Sequence, residues 1–207
     1  MNATPCKLCE KKRAKRHCPG VNGEICPSCC GAERENSIDC PPDCDFLRES
    51  RLHQAPVDLD PDALPNSDIK LNEEFISQQE GLITWLSLAL SQAIENARAV
   101  DNDAREALAA LIQTYRTMES GLIYETKSPN VYATRIQTDL KHSIEDLRKR
   151  LAEETGMHQL RDSDVLKTLV FLQRLELQHS NGRRRGRAFF DFLRTYFPAE
   201  SALSVNQ

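Results

Sequence analysis

Eight cysteines lie between residues 6 and 44, and none follows. They read Cys6-x2-Cys9, then Cys18, then Cys26-x2-Cys29-Cys30, then Cys40-x3-Cys44. Zinc takes four soft or borderline ligands in a tetrahedron, and a Cys-x2-Cys turn sets two sulfurs on one ion. One such turn is a weak signal. Two turns and a Cys40-x3-Cys44 pair in so short a stretch point to thiolate-bound metal. Eight sulfurs match two zinc ions. The side chains of neighbouring Cys29 and Cys30 diverge in an extended chain, which assigns them to different ions. The expected partition places Cys26, Cys29, Cys40 and Cys44 on one zinc, and Cys6, Cys9, Cys18 and Cys30 on the other. His17 is the substitute ligand if Cys18 or Cys30 is free. Cys44 is expected at the start of a short helix, DFLRESR, whose free N–H groups favour a negative sulfur.

Sites saturated with cysteine are closed, whereas catalytic zinc keeps an open position beside a general base. The sequence also carries no P-loop, Gly-rich dinucleotide turn or HExxH. The expectation is therefore a non-enzyme, with no catalytic residue and no small-molecule substrate evident. Its opening residues lack the apolar core of a secretory signal, which sets the cytoplasm as the expected compartment and disfavours disulfides. A thiol/zinc redox sensor is an alternative, because oxidation of the thiolates releases zinc.

Two basic clusters bear on partners. Lys11, Lys12, Arg13, Lys15 and Arg16 sit between the first ligand groups. They suit a phosphate-contacting loop, or they offset the formal charge of about −2 on each tetrathiolate zinc. Arg183, Arg184, Arg185 and Arg187 form the second cluster, at a junction between helices. They suit phosphate or an acidic partner, or the C-terminal dipole of the preceding helix. Net charge is −4 over 207 residues, so there is no general attraction to nucleic acid or anionic membrane. A non-catalytic adaptor or regulator with a protein partner is placed ahead of an RNA or single-stranded DNA binder. No membrane association is expected.

The run ICPSCCGAERENSIDCPPDCDFLRESR resembles the cysteine-rich head of a family of uncharacterised bacterial proteins, and NGRRRGRAFFDFLR is similar to their C-terminal part. The resemblance implies a zinc-binding head and a helical region, and brings no assigned activity. The cysteine spacing is broadly similar to treble-clef and cross-brace fingers. It departs from RING and MYND patterns, which include histidine and have no adjacent Cys-Cys.

The elements that must position these residues follow from composition and spacing. Aromatics are sparse at 6% and only 8 glycines occur, which favours helix over sheet. Residues 1–52 form the expected zinc module, treble-clef-like. Residues 53–67 carry proline and aspartate but no lysine or arginine, and read as an extended, solvated linker. Residues 68–197 show helical apolar spacing and predict an antiparallel bundle with short connections, while 198–207 fray. Five helices are expected there. One long helix carries Phe75 to Ala97. The next is capped by Asp101 or Asn102, and the third starts at Ser128-Pro129 and stops near Gly156. The fourth is capped by Asp162 or Ser163; being apolar nearly all round, it is expected at the centre. The fifth covers roughly 184–196.

Overall fold

A computed structural model describes residues 4–60, 64–122, 124–155 and 160–198. The protein is mainly helical, with one two-stranded sheet near its N-terminus. In the head, β1 (Arg16–Cys18) pairs antiparallel with β2 (Gly23–Ile25), joined by a 3-10 turn over Pro19–Val21. Two short helices follow, α1 (Pro27–Glu33) and α2 (Asp45–Leu52). Ile25, Ile38 and Leu47 fill a small core walled by the cysteines. Val21 and Phe46 pack against it, and this is little apolar material for so short a unit.

The second core belongs to the bundle. The expected long first helix is broken at Gln79 into α3 (Glu73–Gln78) and α4 (Glu80–Ala97), with Asn72 capping α3 through Phe75 N–H. Next come α5 (Asp101–Glu119), α6 (Val131–Thr155), α7 (Asp162–His179) and α8 (Ala188–Tyr196). Leu86, Leu90, Ile94, Leu108, Leu111, Ile136, Leu140, Ile144 and Leu169 are fully buried between them. Helix α7 packs on α4, α5 and α8, and shares the centre with α5, which packs on α6, α7 and α8. A bidentate pair from Arg105 to the buried carboxylate of Glu176, at 2.8 and 2.9 Å, ties α5 to α7. Gly156 and residues 199–207 lie outside the described residues.

One expectation about this region is corrected. The bundle is not antiparallel throughout. After α5 the chain turns back along that helix: Tyr124 O accepts from Thr117, Thr126 N–H donates to Thr114, Ser128 donates to Glu106 and Asn130 donates to Asp103. Helix α6 therefore starts beside the N-terminal end of α5 and runs parallel to it. The return strap is polar on its inner side because its backbone must be satisfied there, as where Gln137 donates to Thr126 O. Asn130 caps α6 through the N–H groups of Tyr132 and Ala133, two residues past the expected start.

The segment expected to be a solvated linker is exposed from His53 to Asp58, and it touches the bundle at particular points. Val57 N–H donates to Gln178 O at 2.8 Å, and Asn66 engages both Gln173 and Arg116. Arg174 donates to the carbonyls of Asn66 and Ile69.

Asp101, expected as a cap of its own helix, caps another. Its two oxygens accept from Phe189 N–H (3.0 Å) and Phe190 N–H (3.1 Å) at the start of α8. At the head of α5 the bond is instead Val100 N–H to Asp103, at 2.9 Å. Burial outweighs the two N–H donors and pushes Asp101 up to about 7, with Glu176 and Glu35 adding repulsion. A carboxyl raised on folding binds more protons folded than unfolded. Its contribution is full below pH ~4 and is lost as pH rises through ~7. The melting-temperature difference between parent and Asp101→Asn should therefore change between pH 5 and pH 8, in favour of the variant at the higher pH. A pH-independent difference would assign that titration elsewhere.

Candidate metal centre

The cysteine sulfurs of Cys6, Cys9, Cys26 and Cys29 all lie within 4.8 Å of one another. Four thiolates around zinc at about 2.3 Å need sulfur–sulfur edges of about 3.8 Å. The Cys9–Cys26 pair stands at 4.0 Å, so the quartet fits a single tetrahedral ion with little adjustment. This grouping differs from the expected one, which joined Cys26 and Cys29 to Cys40 and Cys44.

Backbone pairing explains the grouping. Cys6 N–H donates to Lys12 O, closing the first knuckle, and Lys7 N–H donates to Glu24 O on β2. Cys26, which follows β2 directly, then donates its N–H to Cys6 Sγ at 3.2 Å. Cys26 also caps α1, accepting from Cys29 N–H at 3.4 Å. Both turns thus deliver two sulfurs to one point. Cys29 and Cys30 separate as expected, although on a helix rather than an extended strand: Cys29 joins the quartet and Cys30 does not.

Electrostatics within the quartet suit a cation. Burial raises the Cys6 thiol, but N–H groups of Cys9, Cys26 and Leu8 outweigh it and bring it down to about 6. Cys9 is lowered by the N–H groups of Lys11 and Lys12. Cys29 is pushed up to about 12 by the sulfurs of Cys26 and Cys9. Negative charge is welcomed on the first knuckle, and its accumulation is resisted on the second. A dication removes that conflict.

The other four cysteines line the same small core. Cys18 ends β1, Cys30 lies on α1, Cys40 follows the α1 exit loop and Cys44 is the N-cap residue of α2. Cys44 sits where expected, but its side chain takes no capping hydrogen bond from α2. None of the eight forms a disulfide. Cys30 Sγ receives Arg16 at 3.5 Å and Arg34 at 3.7 Å. His17, the expected substitute ligand, is exposed and bonds Glu24 across the hairpin at 3.2 Å. Strand alternation turns it away from Cys18.

The two basic clusters have different surroundings. Lys11, Lys12, Arg13 and Lys15 are exposed, with Lys12 reaching Ser28 at 3.0 Å, whereas Arg16 also stacks over Phe46. The arginine turn is largely spent inside the chain. Arg183 donates to the carbonyls of Gly31 and Arg34, and Arg187 pairs with Asp39 at 3.1 Å and reaches Ala99 O. Arg185 lies 3.7 Å from Asp39 and donates its N–H to Glu35 O at 2.7 Å. Arg184 is exposed.

Glu35 is the residue that sequence reasoning missed. It is 2% exposed and its φ is +53°. Its carboxylate accepts from Arg51 (2.7 Å), Asn181 (2.7 Å) and Arg187 N–H (3.1 Å). Arg51 also pairs with Asp191 on α8. A polar seam therefore joins the head to the bundle between their separate apolar cores. Gly182 (φ +66°) makes the turn, and a Cβ on buried Gly186 would collide with Asn181. A Glu in a polar run gives no local signal that three donors from distant segments will converge on it.

Comparison with protein-family models, curated proteins and solved structures finds no match. No described helix is long and apolar enough to cross a membrane.

Proposed function

We propose that the protein is a non-catalytic zinc-binding adaptor or regulator whose partner is another protein. The quartet of Cys6, Cys9, Cys26 and Cys29 supports a structural rather than catalytic ion, since four thiolates leave no open position. In this reading all eight cysteines serve as ligands and two zinc ions bind, in a treble-clef-like or cross-brace head.

The observation that carries the choice of partner is the arginine turn. Arg183, Arg184, Arg185 and Arg187 are one of the two basic clusters that suit nucleic acid, and of these Arg183 and Arg187 bond to the head. The strap between α5 and α6 meanwhile exposes Leu122 and Tyr124 near one end and Val131 and Tyr132 at the other, side chains suited to a protein surface. RNA or single-stranded DNA binding is the second reading, favoured by the exposed Lys11, Lys12, Arg13 and Lys15.

Metal analysis of freshly purified, reduced protein, with an assay for co-purifying nucleic acid, tests both parts. Two zinc ions per chain and no nucleic acid are expected; one ion or none removes the two-ion head. Anisotropy titration with short single-stranded RNA at low salt should show no binding tighter than ~10⁻⁴ M. Tighter, salt-sensitive binding that is lost when Lys11, Lys12, Arg13 and Lys15 are neutralised would install the nucleic-acid reading.

A further inference from the structure

We infer that the strap joining α5 to α6 pairs antiparallel, edge to edge, with the same strap of a second copy of this chain. This rests on the reading of the strap as a protein surface and goes beyond it by naming the protein. The strap is drawn out nearly straight. From Tyr124 to Asn130 it runs back alongside α5 from Thr117 to Asp103. At ~3.4 Å per extended residue and ~1.5 Å per helical residue, both paths come to about 20 Å.

A straight chain turns successive peptide groups to opposite sides, and the hydrogen bonds follow that alternation. Tyr124 O accepts from Thr117, and Thr126 N–H donates to Thr114. Thr126 O accepts from Gln137, and Ser128 O accepts from Thr134. All four bonds go to the bundle. Between them, the backbone groups of Glu125 and Lys127 make no hydrogen bond among the described residues. Burial alternates in step. Glu125, Lys127 and Pro129 are exposed, whereas Thr126, Ser128 and Asn130 are half-buried. Two N–H donors and two carbonyl acceptors therefore face solvent as they do along a sheet edge. Pro129 has no N–H and closes the edge at that end.

The edge is complementary to itself. With Thr126 facing the partner's Thr126 across a two-fold axis, Glu125 lies opposite the partner's Lys127, and Lys127 opposite the partner's Glu125. Each pair exchanges both of its N–H···O bonds and sets opposite charges side by side on one face. Lys127 forms no ion pair among the described residues. Glu125 pairs with Lys141 and is still 46% exposed. Strand pairing this short does not by itself bury the area of a specific interface. The same axis brings the Leu122–Tyr124 end of each strap to the Val131–Tyr132 end of the other. Those four side chains are 55% to 79% exposed in the single chain, and their burial supplies the missing area.

The test uses the full chain. Sedimentation velocity should give a dimer, at twice the 23.5 kDa of one chain, that dissociates on dilution. A monomer at every concentration, or an assembly of another order, overturns the inference. Lys127→Pro removes one edge N–H per chain and no hydrogen bond of the folded monomer. With two bonds lost per dimer, the dissociation constant should rise about 30-fold. An unchanged constant overturns the inference. Glu125→Lys and Lys127→Glu each set like charges opposite one another, so each should weaken the dimer. Mixing the two variants pairs unlike charges again and should restore a one-to-one dimer. A mixture no tighter than its components overturns the inference. If a variant loses helical circular dichroism, hydrogen exchange of the parent decides. The amides of Glu125 and Lys127 should be protected in the dimer and exchange freely on dilution, and equal exchange at both concentrations overturns the inference. A monomer that also binds no RNA in the titration above overturns the dimer and leaves the adaptor reading standing.

Discussion

Replacing Glu35 by Gln should destabilise the protein by about 3–5 kcal/mol, the cost of breaking a buried ion pair from one side. The carboxylate is 2% exposed and is the shared acceptor for Arg51, Asn181 and the Arg187 N–H. A glutamine offers one acceptor oxygen in place of two, and its NH₂ would meet another donor. Arg51, only 13% exposed, would keep a buried charge facing Asp191 alone. For a chain of this size the melting temperature should fall on the order of 10 °C. The neighbouring Asp39→Asn change is the internal control. Asp39 is 55% exposed and pairs with Arg185 and Arg187 at the surface, so its loss should cost at most about 1 kcal/mol. Equal, small shifts for the two variants in thermal melts would show that the seam does not hold the head.

Chelation should unfold the head and leave the bundle standing. A structural zinc site contributes about 10–16 kcal/mol of apparent binding free energy, which is folding free energy for a unit whose own core is small. Among its described residues the head buries Ile25, Ile38 and Leu47 beside the cysteines, with Val21 and Phe46 packed against them, whereas a continuous core runs along α4 to α8. Its two helices span 7 and 8 residues, whereas the four long helices of the bundle span 18, 19, 25 and 18. Far-ultraviolet circular dichroism should therefore lose only a small part of its helical signal. Proton NMR or hydrogen exchange should report residues 4–52 as unprotected. Loss of most of the helical signal would mean that the seam carries the bundle as well, and that the two cores do not fold separately.

Much of this protein is legible in one dimension because its signals are local. A Cys-x2-Cys turn puts two sulfurs within reach of one ion wherever it occurs, so each pair of candidate ligands needed no tertiary information. The apolar stripes of α4, α5, α6 and α7 likewise follow a period of 3.6 residues, which a window of the sequence contains. Even the separation of Cys29 from Cys30 held, since adjacent side chains diverge on a helix as they do on a strand.

What tertiary structure alone decided is which local pieces meet. Cys6 and Cys9 join Cys26 and Cys29 because β2 lays the chain beside the first knuckle, and hairpin pairing is not written in ligand spacing. The direction of α6 turns on a strap whose Thr, Ser and Asn residues bond back along α5, although the same residues read locally as a short turn. Asp101 is a good cap by type, but which helix it caps depends on where α8 begins. Arg183, Arg185 and Arg187 read from the sequence as contacts for phosphate or an acidic partner, because a lone sequence shows their charge and not their partners within the chain. Their carbonyl, Glu35 and Asp39 acceptors lie some 150 residues earlier in the chain, and long-range electrostatic pairing of that kind leaves no periodic trace.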